Sequence, residues 1–261
     1  MQRVVIITGA SSGIGLATAK YFLERGDKVY DFSRSDKGKC AIHIPVDVTK
    51  PETVSRAVRE VVSAEGRIDV LVNNAGFGIS GSIETTDENE AKRQFDVNFF
   101  GAHSCIRAVL PYMREQKSGT VINISSVGGV AALPFQAFYS ASKSALISLT
   151  LALRNEVRPF GIRVSAVLPG DVRTNFTAAR EKGKGDDAYG ERTTRSIALM
   201  EADEQNGMSP DRIARKIYGL SVRRRPKALS SVGFAYKCIC VALKVLPTGF
   251  ANRIIGRIYS K

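Results

Sequence analysis

The sequence predicts an α/β fold, a single domain built on a doubly wound parallel sheet of about seven strands with helices on both faces. Short apolar runs alternate with longer helix-compatible segments along the 261 residues, and this alternation implies parallel pairing of the strands. The first run, residues 4–7, is apolar throughout, as expected of a strand buried on both faces. No proline-rich linker divides the chain, whose length suits one domain better than two.

A glycine-rich turn joins this first strand to the first helix. Its members are Gly9, Ser11, Ser12, Gly13, Ile14 and Gly15. Glycine allows positive φ and close approach of the backbone to a phosphate, and a helix N-terminus presents free N–H groups to an anion. The spacing is G-x-x-x-G-x-G rather than the commoner G-x-G-x-x-G. The order strand, turn, helix favours a Rossmann-type pyrophosphate site over a turn that serves packing alone.

A tyrosine and a lysine, Tyr139 and Lys143, stand four residues apart. On a helix this spacing brings two side chains to the same face, one turn apart. A free tyrosine has a pKa of about 10, and a nearby positive charge lowers it. The pair is therefore suited to moving a proton to or from a substrate oxygen, although the same spacing also occurs on solvated helix faces.

Further motifs, together with the turn and the pair, resemble the short-chain dehydrogenase/reductase family. Those at the ends of later strands are Asp47-Val48, Asn73-Asn74-Ala75-Gly76, Ser125-Ser126 and Pro169-Gly170, and Asn98 lies in a predicted helix before Gly101. The resemblance covers residues 1–175 closely and residues 178–261 loosely. It is nearest to the branch that contains hydroxysteroid and retinol dehydrogenases.

The resemblance implies hydride transfer between a nicotinamide dinucleotide and a carbonyl or alcohol carbon, with four catalytic residues. Tyr139 would act as the acid/base, and Lys143 would keep the tyrosine pKa low and hold the ribose hydroxyls. Ser126, thirteen residues before the tyrosine, would bond the same substrate oxygen, while strand alternation points Ser125 the opposite way. Asn98 would steady a water chain behind the lysine.

The same resemblance implies the residues that bind the dinucleotide. Asp47 and Val48 would contact the adenine, and Val172 and Thr174 would hold the carboxamide. The full set is Gly9, Ser11, Ser12, Gly13, Ile14, Gly15, Ser33, Arg34, Asp47, Val48, Asn74, Ala75, Gly76, Tyr139, Lys143, Pro169, Gly170, Val172 and Thr174.

The end of the second strand bears on the choice of cofactor. An acidic residue that binds the ribose 2′-hydroxyl indicates NAD, whereas arginine accommodates the additional phosphate of NADP. Ser33 stands where the family's NAD-type acid would be, and Arg34 and Lys37 follow it. This favours NADP(H). Asp31 lies two residues earlier on the same strand face, and it leaves NAD(H) open.

The substrate is predicted to be a lipophilic ketone or alcohol of steroid, retinoid or acyl-chain type. Residues 126–135 are largely apolar and adjoin the catalytic motif, with Phe135 and Phe176 as candidate substrate contacts together with Ser126 and Tyr139. Residues 178–207 are charged and weakly periodic, which is typical of a mobile substrate lid or of a plain surface insertion. A dinucleotide-binding sensor or scaffold without turnover is the alternative from another class.

The net charge of +13 is concentrated near the C-terminus. Residues 212–261 contain twelve Lys or Arg and no Asp or Glu, which leaves +1 for residues 1–211. Residues 234–261 are predicted to form a basic helical extension to the catalytic domain of residues 1–233. Its last helix would be amphipathic, with Phe250, Ile254, Ile255 and Ile258 between Arg253, Arg257 and Lys261. The extension is interpreted as packing on the domain or another subunit, with an anionic membrane surface as the alternative.

Several classes are disfavoured by what the sequence lacks. No apolar stretch reaches the roughly 20 residues that span a bilayer, and the first strand leaves no room for a signal peptide. The four cysteines lack disulfide or zinc spacing, and His43 and His103 lack metal partners, so reduced thiols, no metal and a cytoplasmic location are expected. The run 223–225 is basic but no nucleic-acid motif accompanies it. A homodimer or homotetramer is expected by resemblance only.

Overall fold

A computed structural model describes residues 2–38, 40–182 and 186–260. Residues 183–185 of the predicted lid and Lys261 of the predicted basic helix lie outside this part. The described strands are β1 (Val4–Thr8), β2 (Lys28–Ser33), β3 (Ile42–Pro45), β4 (Val70–Asn73), β5 (Ile79–Ser80), β6 (Gly119–Ile124), β7 (Ile162–Leu168), β8 (Glu181–Lys182) and β9 (Leu229–Ser231). Seven of them form one parallel sheet in the order β3-β2-β1-β4-β6-β7-β9, and β5 pairs with β8 in a second, two-stranded sheet.

Helices cover both faces of the large sheet, as predicted. They are α1 (Gly13–Leu23), α2 (Pro51–Glu65), α3 (Glu88–Phe95), α4 (Gly101–Glu115), α5 (Ala137–Glu156), α6 (Glu191–Gln205), α7 (Pro210–Val222), α8 (Phe234–Val245) and α9 (Thr248–Tyr259). One core cluster lies under α2, α4 and α5, and a second lies under α1 and α7. The predicted fold class, a doubly wound α/β domain, is confirmed.

The strand order places the glycine turn and the catalytic motif at one edge of the sheet. Strand β1 has β2 on one side and β4 on the other, so the chain reverses its winding direction there. Ligands of open parallel sheets bind in the crevice at the carboxyl ends of the strands beside such a reversal. The glycine turn and the motifs at residues 47–48, 73–76, 125–126 and 169–170 follow carboxyl ends of strands, which brings them to this crevice.

The segment 178–207 differs from the mobile loop that its sequence predicts. Helix α6 occupies half of it and buries Thr193, Ser196, Ile197 and Met200, a spacing of i, i+3, i+4 and i+7 along one face. Two of these four residues are small and polar, so the apolar periodicity that signals a helix is weak. Strand β8 also ties the segment to β5.

The predicted C-terminal helices are both present. Tyr236 and Cys240 of α8 pack against a small core cluster at the edge of β7, whereas Phe234 and Val245 are 82% and 78% exposed. Helix α9 buries Ala251. In the described part of the chain, no helix is long and apolar enough to cross a membrane.

The four cysteines are free thiols. Within residues 2–38, 40–182 and 186–260, no group of three or more His, Cys, Asp or Glu side chains is arranged to hold a metal ion.

Candidate active site

The glycine turn has a geometry that side chains would not tolerate. Gly9 and Gly13 have φ values of +67° and +53°, in the region that favours glycine. A Cβ atom on Gly15 would lie 2.2 Å from the carbonyl oxygen of Gly9, which is an overlap. The three predicted glycines are therefore needed for the backbone path itself.

Two polar side chains from neighbouring strands hold this turn in place. The Asn74 side-chain amide donates to the carbonyl oxygens of Thr8 and Gly9, at 3.0 and 3.1 Å. In return, Thr8 Oγ1 accepts from the backbone N–H groups of Asn74 and Ala75, each at 2.9 Å. The side chain of Asn74 thus braces the turn rather than facing a ligand. Sequence reasoning missed Thr8, although it directly precedes the turn.

The N-terminus of α1 suits a dinucleotide pyrophosphate. The first turn of α1 has no acidic residue, and the Ser12 side chain makes no capping hydrogen bond there. Its N–H groups and partial positive charge therefore favour an anion. A Cβ on Gly13 would lie 3.4 Å from Thr174 Cβ, so the predicted carboxamide segment after β7 faces the turn. The residues present fit the cofactor that the sequence predicts.

The carboxylate of Asp31 is committed within the protein. It is buried and accepts hydrogen bonds from the Ala10 N–H at 2.9 Å and from Ser33 Oγ at 2.8 Å. Burial raises the pKa of Asp31 above its ordinary value, against the opposing effect of these hydrogen bonds. The predicted shared face of Asp31 and Ser33 is confirmed. Both acceptor oxygens already bind protein donors.

Arg34 lies on the exposed side of the same loop, beside the predicted adenine contact. Burial opposes ionisation of Asp47, but hydrogen bonds from Thr49 and the charges of Lys50 and Arg34 together lower the pKa of Asp47. Val48 is buried, and its side chain packs against Gly101 at the start of α4. Arg34 is thus an exposed cation at the end of β2, close enough to Asp47 for their charges to interact.

Tyr139 projects from the first turn of α5 beside Ser126. Burial raises the pKa of Tyr139 to about 12, and a hydrogen bond with Ser126 opposes this. Ser126 Oγ also accepts from the backbone N–H of Gly128 at 3.0 Å, which fixes the position of its hydroxyl. The two hydroxyls predicted to share one substrate oxygen are therefore adjacent.

Lys143 lies on the same helix face but is deeply buried. Its Nζ donates to the carbonyl oxygen of Ile124 at 2.9 Å and lies 5.8 Å from the centroid of the Tyr139 ring. Burial lowers the pKa of Lys143 to about 8. For the protein groups alone, desolvation dominates and raises the pKa of Tyr139. The lowering of that pKa by Lys143 stays a prediction.

Asn98 lies in a single π-helical turn, Asp96–Phe100, a distortion often found at functional sites. Its side chain bonds both backbone groups of Phe77, at 3.0 Å each, and donates to Ser142 Oγ at 3.1 Å. Ser142 Oγ donates in turn to the carbonyl oxygen of Tyr139 at 2.8 Å. Asn98 is therefore linked to the catalytic helix through Ser142, a residue that sequence reasoning did not single out.

Aromatic side chains form the substrate side of the site. The Phe176 ring lies 5.8 Å from that of Tyr139, and it closes on Gly78, where an added Cβ would lie 3.1 Å from Phe176 Cζ. Phe135 has a φ of +58°, which is uncommon for a bulky residue and concentrates at functional sites. Its ring meets that of Tyr189 edge-on at 6.1 Å. Phe176 thus reaches the tyrosine, whereas Phe135 contacts Tyr189 in the segment 178–207.

Comparison with known proteins agrees with this geometry. Residues 3–185 match the short chain dehydrogenase family, and the chain belongs to that family. A 3-ketodihydrosphingosine reductase from Bacteroides thetaiotaomicron is 43% identical over 238 residues, which cover 88% of each chain. The prediction of the family, and of its hydroxysteroid and retinol dehydrogenase-like branch, is confirmed.

Solved structures extend the likeness to the fold and to cofactor binding. A short-chain dehydrogenase from Streptomyces avermitilis is 33% identical with a TM-score of 0.85, over 98% of this chain and 94% of its own. ElxO with NADP bound is 28% identical with a TM-score of 0.77, over 91% and 100%. A 3-ketoacyl-(acyl-carrier-protein) reductase from Brucella melitensis complexed with NADH is 27% identical with a TM-score of 0.75, over 88% and 95%. Both kinds of nicotinamide dinucleotide thus occur among similar structures.

Proposed function

We propose that the protein is an NADP(H)-dependent oxidoreductase that interconverts a long-chain ketone and the corresponding secondary alcohol. The observation that carries this proposal is the adjacency of the Ser126 and Tyr139 hydroxyls above a buried Lys143. A pure binding protein has no use for a proton-transfer group held in this way. For this reason we prefer the enzyme to a dinucleotide-binding sensor or scaffold.

In this proposal the dinucleotide supplies or accepts the hydride, and the protein's own groups manage the substrate oxygen. Tyr139 keeps its proton at neutral pH because its pKa is raised to about 12. It therefore donates that proton to the oxygen of a ketone as negative charge develops there. Ser126 donates a hydrogen bond to the same oxygen. Lys143 and Asn98 position the tyrosine helix, and Lys143 holds the ribose.

The residues at the end of β2 favour NADP(H) over NAD(H). Asp31 would have to give up a bond from Ala10 or Ser33 to bind a ribose 2′-hydroxyl, whereas exposed Arg34 can pair with a phosphate at no such cost. The cofactor residues are otherwise those predicted from the sequence. NAD(H) is the alternative that the experiment below tests.

The substrate class is inferred from the site and from the 3-ketodihydrosphingosine reductase likeness. Phe176 lies beside Tyr139, and Phe135 packs on Tyr189 further along the proposed substrate side; these apolar rings suit a hydrocarbon chain. Residues 178–207 would form the lid over it, because β8 and α6 bring this segment against the site. A 3-ketoacyl thioester is the competing acyl-chain substrate, and steroid and retinoid carbonyls are further candidates.

The first test is titration with NADPH and NADH, followed by nicotinamide fluorescence. We expect NADPH to bind about tenfold or more tightly than NADH, and Arg34→Ala to remove most of that difference. Arg56→Ala, which changes an exposed arginine on α2, is the matched control. Preference for NADH would instead assign the ribose to Asp31. Ketones of each class are then offered as substrates with NADPH. Absence of both dinucleotide binding and turnover would overturn the proposal that the protein is an oxidoreductase.

We further propose that residues 234–261 form an extension to a catalytic unit of residues 1–233 and contact anionic membrane through the outer face of α8. That face exposes Phe234, Val241 and Val245 beside Lys237 and Lys244, with no acidic residue in the helix. Sedimentation with anionic and neutral vesicles tests this, with Lys237→Glu/Lys244→Glu as the variant. Equal binding to both vesicle types would contradict it.

We expect a homodimer or homotetramer, which light scattering would measure.

A further inference from the structure

A buried arginine outside the predicted catalytic set faces the substrate side of the site. The Arg180 side chain is 1% exposed and pairs with Glu204 of α6 through Nη2. Its Nε and Nη1 atoms are also buried, and neither has a hydrogen-bond partner among the described residues. Buried N–H groups of a charged side chain rarely stay unpaired, because they lose their hydrogen bonds to water without gaining new ones.

The surroundings of Arg180 place it next to the reacting groups. Its guanidinium lies 5.8 Å from the centroid of the Phe176 ring, and that ring lies 5.8 Å from the ring of Tyr139. The charges of Arg180 and Glu204 both act on the tyrosine hydroxyl. Glu204 is held by a second bond, from Thr177 Oγ1 at 2.5 Å. The guanidinium of Arg180 is thus held in position beside Phe176, within range of Tyr139.

The charge around this arginine limits what it can bind. Glu204 already neutralises Arg180, and Asp171 adds a further negative charge that acts on Tyr139. Asp203 stands close enough to Asp171 for the two carboxylates to interact. A carboxylate or phosphate on the substrate would meet net negative charge here. A neutral oxygen acceptor is favoured, and a protonated amine beside it would be attracted.

We propose that Arg180 is a specificity-determining residue whose unpaired Nη1 group donates a hydrogen bond to a hydroxyl oxygen on the polar head of an amino-alcohol ketone substrate. This inference rests on the proposed function, because it concerns the same pocket and the same ketone. The apolar wall would take the hydrocarbon chain, and Arg180 would fix which end of the chain presents its carbonyl to Tyr139. A site built to bond a hydroxyl discriminates strongly against an analogue that lacks it.

The test compares two ketones of equal chain length with NADPH. One is 3-ketodihydrosphingosine, which carries an amino and a hydroxyl group beside the carbonyl, and the other is the plain 3-ketone. We expect wild type to prefer the first by about 10²-fold in kcat/KM, and Arg180→Met to lower this ratio to below about tenfold. Arg180→Met/Glu204→Gln, which leaves no unpaired carboxylate, should lower it equally. Arg93→Met, which removes the exposed Arg93–Glu181 pair, should leave the ratio as in wild type.

An analogue that keeps the amino group but lacks the hydroxyl tests the proposal with wild-type protein alone. The result then does not depend on whether a variant folds. Wild type should lose most of its preference with this analogue if Arg180 binds the hydroxyl. Retention of the full preference, or a ratio that Arg180→Met leaves unchanged, would overturn the subsite. Turnover of both ketones without preference overturns the subsite alone, whereas turnover of no ketone overturns the proposed function and the subsite with it.

Discussion

The hydroxyl of Ser125 donates to the backbone carbonyl of Lys143 at 2.8 Å, while the hydroxyl of the next residue in the chain, Ser126, lies at Tyr139. Adjacent serines thus serve opposite sides of the end of β6. Ser125 ties the strand to α5, and Ser126 hydrogen-bonds with Tyr139. Strand alternation predicts that the two side chains point in opposite directions. A substitution of either serine is therefore a matched control for the same substitution of the other.

Truncation of the two serines should therefore affect different properties, kcat for Ser126 and the free energy of unfolding for Ser125. We expect Ser126→Ala to lower kcat by about 10²-fold, because one hydrogen bond to the developing charge is lost. Ser125→Ala should lower the free energy of unfolding by about 1 kcal/mol, since it removes a buried hydrogen bond. Steady-state kinetics and urea unfolding of both variants measure this. A larger loss of kcat in Ser125→Ala than in Ser126→Ala would reverse the assignment.

Removal of the tyrosine hydroxyl should separate chemistry from binding. We expect Tyr139→Phe to lower kcat by about 10³-fold through loss of the proton donor, with NADPH affinity changed by less than about threefold. Single-turnover kinetics and fluorescence titration measure the two effects. Because burial raises the pKa of Tyr139 to about 12, alcohol oxidation by wild type should accelerate from pH 7 to pH 10 as the phenolate fraction grows. A falling rate over that range would contradict the assignment.

Stability should depend on pH through the buried lysine. The pKa of Lys143 is lowered from 10.5 to about 8, so between these pH values the unfolded chain binds more protons than the folded chain. The contribution of Lys143 to the free energy of unfolding therefore rises with pH across this window and is unfavourable below it, on the order of 3 kcal/mol.

Lys143→Met removes the titrating group and tests that dependence. We expect the free energy of unfolding of wild type, measured relative to this variant, to increase between pH 7 and pH 10. Urea unfolding at several pH values gives the difference, in which contributions from other groups cancel. Parallel stability curves for the two proteins would show that Lys143 keeps its ordinary pKa.

The glycine turn offers a matched pair of substitutions. Gly15→Ala would place a Cβ 2.2 Å from the Gly9 carbonyl oxygen, so we expect a loss of about 3 kcal/mol or abolished dinucleotide binding. Gly219 of α7 has no neighbour within 4 Å of an added Cβ. Gly219→Ala should instead raise the free energy of unfolding by about 0.5–1 kcal/mol. Thermal unfolding with and without NADPH measures both, and wild-type behaviour of Gly15→Ala would contradict the geometry.

Local sequence patterns were sufficient to predict the α/β fold class and many residues of the candidate site. Apolar strands with intervening helices allow few topologies, because parallel connections are nearly always right-handed and cross over through a helix. The carboxyl ends of such strands share one edge of the sheet, so motifs that follow them meet there. The glycine turn, Ser126 and the Tyr139–Lys143 spacing could be found for this reason, since each depends on residues close in the chain.

Only the tertiary structure decided which groups around those motifs are free to act. The Asp31 carboxylate accepts a hydrogen bond from the Ala10 N–H, 21 residues away, and Lys143 donates to the Ile124 carbonyl oxygen, 19 residues away. Arg180 meets Glu204 across 24 residues, and no local pattern signals that two of its N–H groups stay unpaired. Desolvation and pairing are sums over neighbours distant in the chain. The sequence therefore determined the fold and the catalytic residues to expect, and packing decided which of their polar groups are buried or already paired within the protein.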